Sequence, residues 1–264
     1  MSARVEASLP RAGAVRRLEE PDRERWDALA ANADGASVFH TSAWASIWTE
    51  AWRNARWEVL VIEDEAGYAA GLPAVVRRHG LWRTVDAMPY ATYGGPIVRR
   101  GHPDPEGARR ALLEAFAAWI DSRRVLRAGL AWYEGRAAEL PERLPTRASF
   151  THVLPLASDF ETLASRFSPS TRRLVRQADA SGLSIRAVTT SEELRAFHDI
   201  AVETVRRRGG EPKPLALYER IAATLVPSGL ARYHLVFHGG EAVAGSLHLF
   251  HEGTAVSWLP VSRE

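Results

Sequence analysis

Segments with the hydrophobic spacing of helices alternate along the chain with segments that have the spacing of strands. The same order of segments occurs twice. Residues 60–72 and 235–247 each combine a short apolar strand, a polar turn and a second strand in which a small residue precedes a glycine. Gly71 and Gly245 take the same place in these hairpins, and two helix-period segments come before each hairpin. Self-similarity at a long period is typical of a duplicated unit. We therefore expect two similar domains in tandem, with the second copy incomplete at its C-terminal end.

The first copy is predicted to occupy residues 21–148, after a flexible polar lead-in over residues 1–20. Its first helix opens at Pro21, and Thr41 or Ser42 is expected to cap the second helix. The other predicted elements are an extended segment over 37–40, a hairpin over 57–62 and 68–76, a strand over 81–86, a loop over 88–96, a helix over 106–120 and a strand over 125–132.

The second copy is predicted to occupy residues 149–264, after a proline-containing passage over 134–146. Helices that precede an antiparallel meander indicate an α+β fold rather than a doubly wound parallel sheet. The predicted elements are a strand over 151–156, helices over 160–167 and 168–181, a strand over 183–188, helices over 191–208 and 214–225, and strands over 232–237, 242–251 and 255–261.

Composition narrows the class of function. The 264 residues are 46% hydrophobic and 25% charged, which is ordinary for a globular protein, and a formal charge of +2 indicates no strong nucleic-acid field. The absence of Cys removes thiolate nucleophiles and Cys-ligated metals, and with Lys213 as the only lysine, catalysis by a lysine amine is nearly excluded. No apolar run approaches the roughly 20 residues that span a bilayer, and no signal-peptide core occurs. We therefore predict a cytoplasmic protein.

Several common catalytic motifs do not occur in the sequence. There is no G-x-x-x-x-G-K-[ST], no G-x-G-x-x-G, no G-x-S-x-G and no H-E-x-x-H, so NTPase, dinucleotide-binding, α/β-hydrolase and zincin functions lose support. His234, His238, His248 and His251 look like a metal cluster. If residues 239–240 form the tight turn, however, His248 should lie on the opposite face from His234. We therefore predict no metal site.

The predicted helix over 168–181 is the first candidate binding element. Ser168 followed by Pro169 is a strong helix start. Its core-facing residues are expected to be Leu174, Val175 and Ala178. The arginines on its flank are Arg172, Arg173 and Arg176. Because guanidinium groups suit phosphate oxygens and a helix start adds positive partial charge, this flank could bind an anion; a solvated polar face is the alternative.

Other candidate residues allow two interpretations each. Arg206–Arg208 close a helix, where the helix dipole alone could explain them. The aromatic, glycine-containing loop over 90–96 could form a ligand wall or a plain turn, and Trp44 could line a site or belong to the core. No catalytic base can be chosen from spacing. The acids and bases that come into question are His40, Asp86 and Glu203.

Four segments then carry a family resemblance. Residues 39–44 (FHTSAW) fit F-x-[ST]-x-x-W, and residues 170–183 fit R-x-x-I-x-x-A…G-[VL] with Val175 at the Ile position. Residues 204–209 fit T-x-x-R-x-G, and residues 244–247 (AGSL) form the strand after the hairpin. In this order they resemble the Fem-type (FemABX) aminoacyltransferases and the related GNAT-like (BioF2-like) acyltransferases. The resemblance covers about residues 25–264.

This resemblance implies tandem GNAT-like domains that transfer an acyl or aminoacyl group to an amine. The implied acceptor is an amine-bearing glycan or peptide precursor of the cell envelope, anionic in character, as in peptidoglycan or exopolysaccharide synthesis. Arg172 and Arg176 would contact its anionic group, and Trp44 and the tyrosine loop would line a cleft. The substrate-binding residues carried over are Trp44, Tyr90, Tyr93, Arg172, Arg173, Arg176, Thr204 and Arg207.

The sequence leaves the acyl donor open. It has no R/Q-x-x-G-x-G/A pyrophosphate loop, and no inserted coiled-coil arm of the kind that some tRNA-using relatives carry. No cofactor is therefore evident, and both acyl-CoA and aminoacyl-tRNA come into question as donors. The alternatives are a CoA-dependent GNAT acetyltransferase and a non-catalytic binding module of a polysaccharide assembly system. No oligomeric state is predicted.

Overall fold

The computed structural model describes residues 14–90, 92–121, 124–133, 135, 140–142 and 144–264. The chain divides into two compact units after Ala148. Parts of three predicted features lie outside the described residues: residues 1–13 of the lead-in, residue 91 of the tyrosine loop, and residues 134, 136–139 and 143 of the passage. No described helix has the length and apolar content needed to cross a bilayer.

The first unit is a mixed sheet with helices on both faces. Its strands are β1 (Arg16–Leu18), β2 (Ala33–Asp34), β3 (Ala55–Asp64), β4 (Gly67–His79), β5 (Trp82–Ala87), β6 (Ile97–Arg99) and β7 (Val125–Leu130). Its helices are α1 (Arg23–Ala31), α2 (Ser42–Ala51) and α3 (Pro105–Ile120). The main strand order is β1-β3-β4-β5-β7, with β6 paired to β4 and β2. The β5–β7 pair is parallel, and the other pairs are antiparallel.

Two sequence predictions for this unit need correction. Residues 16–18 belong to the sheet rather than to a flexible lead-in, since Arg17 pairs with Leu60 of β3. The segment predicted as extended is a 3-10 helix over Val38–His40, because the Ser37 carbonyl accepts the His40 N–H at 2.9 Å. The cap prediction for α2 is confirmed, since Thr41 accepts the Trp44 N–H at 3.1 Å.

The second unit is an antiparallel sheet with helices. Its helices are α4 (Phe160–Ser165), α5 (Pro169–Ala180), α6 (Ser191–Arg207) and α7 (Leu215–Leu225). Its strands are β8 (Ser184–Ala187), β9 (Ala231–His238), β10 (Glu241–His251) and β11 (Thr254–Ser262). They follow the order β8-β9-β10-β11. Their core lies under α6 and α7, where Phe197, Ile200, Tyr218 and Ile221 are buried.

Two predictions for this unit are wrong. Residues 151–156 form no strand, since no described strand pairs with them and Pro155 has no N–H to donate. The apolar stripe of α5 is not in the core: Leu174 is 58% exposed, and no residue of α5 is buried. The stripe defines which side of the helix is apolar, but it does not determine what covers that side. The predicted helix start is confirmed, because Ser168 Oγ accepts the Thr171 N–H at 3.1 Å.

The repeat seen in the sequence has a structural cause. The antiparallel strands β1-β3-β4-β5 and β8-β9-β10-β11 have the same order in their sheets. At Gly71, a Cβ atom would lie 2.5 Å from the Trp26 ring of α1, and at Gly245 it would lie 2.8 Å from the Phe197 ring of α6. In each unit the glycine thus lets an aromatic ring of the helix that follows β1 or β8 lie directly on the strand. The tandem α+β prediction is confirmed.

Candidate functional site

A loop over residues 88–96 lies at the carboxyl ends of the parallel strands β5 and β7. It begins where β5 ends, and the Gly94 N–H donates to Ala131 O, just after β7, at 2.9 Å. In open sheets, the carboxyl ends of parallel strands are the usual place for ligand-binding loops. This loop contains both tyrosines that the sequence singled out.

The backbone of this loop is strained and closely packed. Met88 and Tyr90 have φ angles of 64° and 61°, a left-handed conformation that costs non-glycine residues on the order of 1–3 kcal/mol each. A Cβ atom at Gly94 would lie 2.1 Å from Ala87 O, and one at Gly95 would lie 2.1 Å from the Trp132 ring. Strain of this kind persists only where surrounding structure imposes it, and it concentrates at functional sites.

His40 forms a hydrogen bond with the backbone of this loop. Its side chain is buried, its Nδ1 atom accepts the Ser37 N–H at 3.1 Å, and its Nε2 atom lies 3.1 Å from Gly95 O. Since a backbone N–H can only donate, Nδ1 is the acceptor and Nε2 carries the proton that it donates to Gly95. His40 therefore positions the loop. With both ring nitrogens engaged, the structure does not support it as a proton acceptor for a substrate.

Aromatic side chains of the 3-10 helix, α2 and the loop over 88–96 form one continuous cluster. Trp44 packs on Trp48 at a centroid distance of 5.6 Å, and Trp48 packs on Tyr90 at 5.2 Å. Phe39 joins Trp44 and Tyr93, at 5.0 and 5.8 Å. The structure thus brings together the three aromatic residues predicted for the site. However, Trp44 is fully buried and Tyr90 is 50% exposed, so the tyrosine can offer a face to a ligand and the tryptophan cannot.

Asp86 lies at the end of β5, one residue before the last of that strand. It is buried, with 9% of its surface exposed, and Arg127 Nη2 donates to its Oδ2 at 2.9 Å. Burial raises the pKa of Asp86, and the charges of Arg127 and Arg77 oppose that rise. The sequence suggested Asp86 but not its partner. Arg127 comes near only through the parallel pairing of β5 and β7, which places Gly129 opposite Asp86.

The arginines of α5 are exposed, as an anion-binding flank requires. Arg172 and Arg176 are one helical turn apart, and Arg173 is exposed beside them. Arg172 Nη1 donates to Ser165 O at 3.2 Å, which ties its guanidinium to the end of α4. The solvated-face interpretation fits this geometry as well as the anion interpretation does, so the role of these residues stays a prediction.

Thr204 and Arg207, by contrast, have structural partners. Thr204 is 1% exposed; its Oγ1 donates to Ser262 O at 2.9 Å and accepts the Ser262 N–H at 3.0 Å. Arg207 Nη2 donates to the same carbonyl at 3.0 Å. Because β11 is the last strand in the sheet order, these side chains of α6 satisfy backbone groups at a sheet edge. The Thr204 hydroxyl thus has both its donor and an acceptor function engaged within the protein, and its expected substrate contact stays a prediction. Glu203 next to it is exposed.

His234 and His248 lie on the same face of the second sheet, contrary to prediction. A register shift between Ala242 and Ala244 reverses the expected parity and puts Ser246 opposite His234. The two imidazole centroids are 5.7 Å apart, and Ser246 Oγ is 3.4 Å from His248 Nδ1. Burial lowers the pKa of both histidines. Within the described residues, no group of three or more His, Cys, Asp or Glu could hold a metal ion.

Comparisons of sequence and structure show which known proteins share the fold of this chain. Residues 165–264 match the sequence model of the acetyltransferase (GNAT) domain family Acetyltransf_6. The crystal structure of FemX is similar over 94% of this chain and 80% of that chain, with 11% identity and a TM-score of 0.64. The chain has a Fem-type, GNAT-like acyltransferase fold.

Two further structures are similar over 94% of this chain. A conserved protein of unknown function from Bacteroides thetaiotaomicron VPI-5482 has 15% identity, 80% coverage of its own chain and a TM-score of 0.51. A tandem GNAT protein from the clavulanic acid biosynthesis pathway has 12% identity, 79% coverage and a TM-score of 0.41. At such identities the likeness concerns the fold alone. No curated protein sequence matches the chain significantly.

Proposed function

We propose that this protein is an N-acyltransferase that moves an acyl or aminoacyl group to an amine of a cell-envelope glycan or peptide precursor. The observation that carries the proposal is the GNAT domain match over residues 165–264 on a duplicated GNAT-like scaffold. It supports acyl transfer as the reaction class. The envelope acceptor rests on the Fem-type sequence resemblance, and the cytoplasmic location stays a prediction.

The proposed reaction joins an amine to an activated carbonyl carbon. The amine nitrogen forms a C–N bond, the C–O bond of the ester or the C–S bond of the thioester breaks, and the proton lost by the amine passes by way of the base to the leaving alcohol or thiol. No covalent enzyme intermediate is needed, so a chain without Cys can perform it. Positioning and charge stabilisation would supply most of the rate.

We assign roles to side chains of both units. Tyr90 and Tyr93 would contact the substrate through the strained loop, and Arg172 and Arg176 would bind an anionic group of the acceptor. Asp86 would accept the proton, since a carboxyl group whose pKa is raised toward working pH is a better general base.

Two versions of this proposal differ in the acyl donor. The GNAT domain description favours acetyl-CoA, whereas the Fem-type resemblance favours aminoacyl-tRNA. The full chain should be incubated separately with labelled acetyl-CoA and with charged tRNA, each with amine-bearing muramyl-peptide and amino-sugar acceptors. We expect a new amide, detected as a mass gain on the acceptor, with one of the two donors.

Variants test the assigned residues. Arg172→Gln/Arg176→Gln should raise the acceptor KM about tenfold or more, since charge-assisted hydrogen bonds are lost. Arg206→Gln/Arg208→Gln removes the same charge from another exposed site and should leave the KM unchanged. An equal effect of both pairs would contradict a specific anion site. Binding of acceptor without transfer from either donor would favour the binding-module alternative.

A further inference from the structure

A shallow pocket of about 190 Å³ lies at the end of the first sheet where β4 turns into β5. It is lined by Arg78, Gly80, Leu81, Trp82, Arg83 and Arg124. None of these residues belongs to the loop over 88–96, which follows the other end of β5. With a rise of about 3.3 Å per residue, the six residues of β5 separate the two ends by roughly 17 Å.

Three arginines line this pocket, one on β4, one on β5 and one just before β7. Arg78 of β4 and Arg83 of β5 are directly opposite each other in the sheet. The Arg83 N–H donates to Arg124 O at 2.9 Å, which brings the residue before β7 beside them. Like charges directly opposite in a sheet destabilise it. The arrangement thus carries a local cost that a bound anion would relieve.

No carboxylate in the described part of the chain forms an ion pair with these three guanidinium groups. Glu58 of β3 is near enough for the charges of Arg78 and Arg83 to lower its pKa, although burial outweighs them and raises it. Its Oε2 atom lies 3.6 Å from Arg17 Nε, and its side chain is almost inaccessible. The pocket therefore keeps a net positive charge that faces solvent.

The other large side chains of the lining, Leu81 and Trp82, are apolar. Trp82 is 48% exposed and Leu81 is 79% exposed, both next to the hairpin turn at Gly80. An indole face contacts flat apolar groups well, and a guanidinium fork matches the oxygens of a phosphate. Three arginines and one tryptophan in the same pocket lining suit a ligand with two negative charges and a flat apolar part better than they suit a monocarboxylate.

We propose that this pocket binds a small organic phosphate, with the phosphate on Arg78, Arg83 and Arg124 and the apolar part on Trp82. The site lies at the opposite end of β5 from the loop over 88–96, and the proposal does not depend on acyl transfer. Its volume is several times that of a water molecule and accommodates a phosphate group with part of an attached ring.

The test uses the full chain with inorganic phosphate, pyrophosphate and phenyl phosphate at low salt, with binding followed by NMR shifts and calorimetry. We expect the wild type to bind phenyl phosphate and pyrophosphate, with affinity falling as salt rises. Arg78→Gln/Arg83→Gln should weaken both by about tenfold or more. Arg206→Gln/Arg208→Gln, with the same charge loss in the second unit, should bind as the wild type does.

Equal binding by both double variants would overturn the proposal. So would the absence of binding by the wild type at about 10 mM ligand, because that result excludes even a millimolar Kd. Trp82→Ala tests the apolar contact: it should weaken phenyl phosphate while leaving inorganic phosphate unchanged. If Trp82→Ala leaves phenyl phosphate unchanged, the organic part of the proposal is wrong and the pocket is a simple anion site. Circular dichroism of each variant checks that it is folded.

Discussion

Replacing Thr204 by Val distinguishes a structural role from a substrate contact. The substitution keeps the shape of the side chain and removes the hydroxyl that bridges both backbone groups of Ser262. The Ser262 carbonyl retains Arg207 as a donor, whereas the Ser262 N–H loses its partner. Leaving one backbone donor unsatisfied costs about 1–3 kcal/mol. We expect a loss of unfolding free energy of that size in the second unit.

The measurement is urea unfolding together with hydrogen exchange of the β11 amides, because two units need not unfold as one. Thr204→Ser retains the hydroxyl and should behave nearly as the wild type does. Thr49→Val is a matched control, since that hydroxyl donates only to Ser46 O within its own helix, and we expect a change within about 0.5 kcal/mol. If Thr204→Val is as stable as the wild type but loses acceptor binding, our assignment of a structural role is wrong.

Three further predictions concern packing and titration. Gly71→Ala should destabilise the first unit by about 1–3 kcal/mol in urea, because its Cβ would overlap the Trp26 ring, and an unchanged midpoint would contradict this packing. The raised folded pKa of Asp86 means that stability falls as the pH rises from about 3.8 through that folded value; Asp86→Asn should flatten this slope in unfolding midpoints measured from pH 3 to 7. Because the pKa values of His234 and His248 are lowered in the folded state, the second unit should lose stability as the pH drops below about 6.5. NMR titration of the two imidazoles should place both midpoints below that value. Midpoints at about 6.5 would contradict the burial of the two side chains.

Local signals in the sequence were sufficient for much of the fold. Caps at Thr41 and Ser168 are chosen by side chains that reach a backbone N–H three residues on, so they can be read without tertiary information. The paired glycines Gly71 and Gly245 marked the duplication. The Tyr90 loop was also visible, because its glycines and aromatics are contiguous in the chain.

What the sequence by itself determined is the order of most helices and of the longer strands, the caps at Thr41 and Ser168, and the repeat, since these leave signals in short stretches of the chain. Only the tertiary structure decided that Trp44 is buried, that Thr204 is bonded to Ser262, and that Arg127 reaches Asp86. It also brought His234 and His248 onto one face through a bulge. These outcomes depend on strand register and on which surfaces meet, and a shift of one residue in register moves every following side chain to the opposite face.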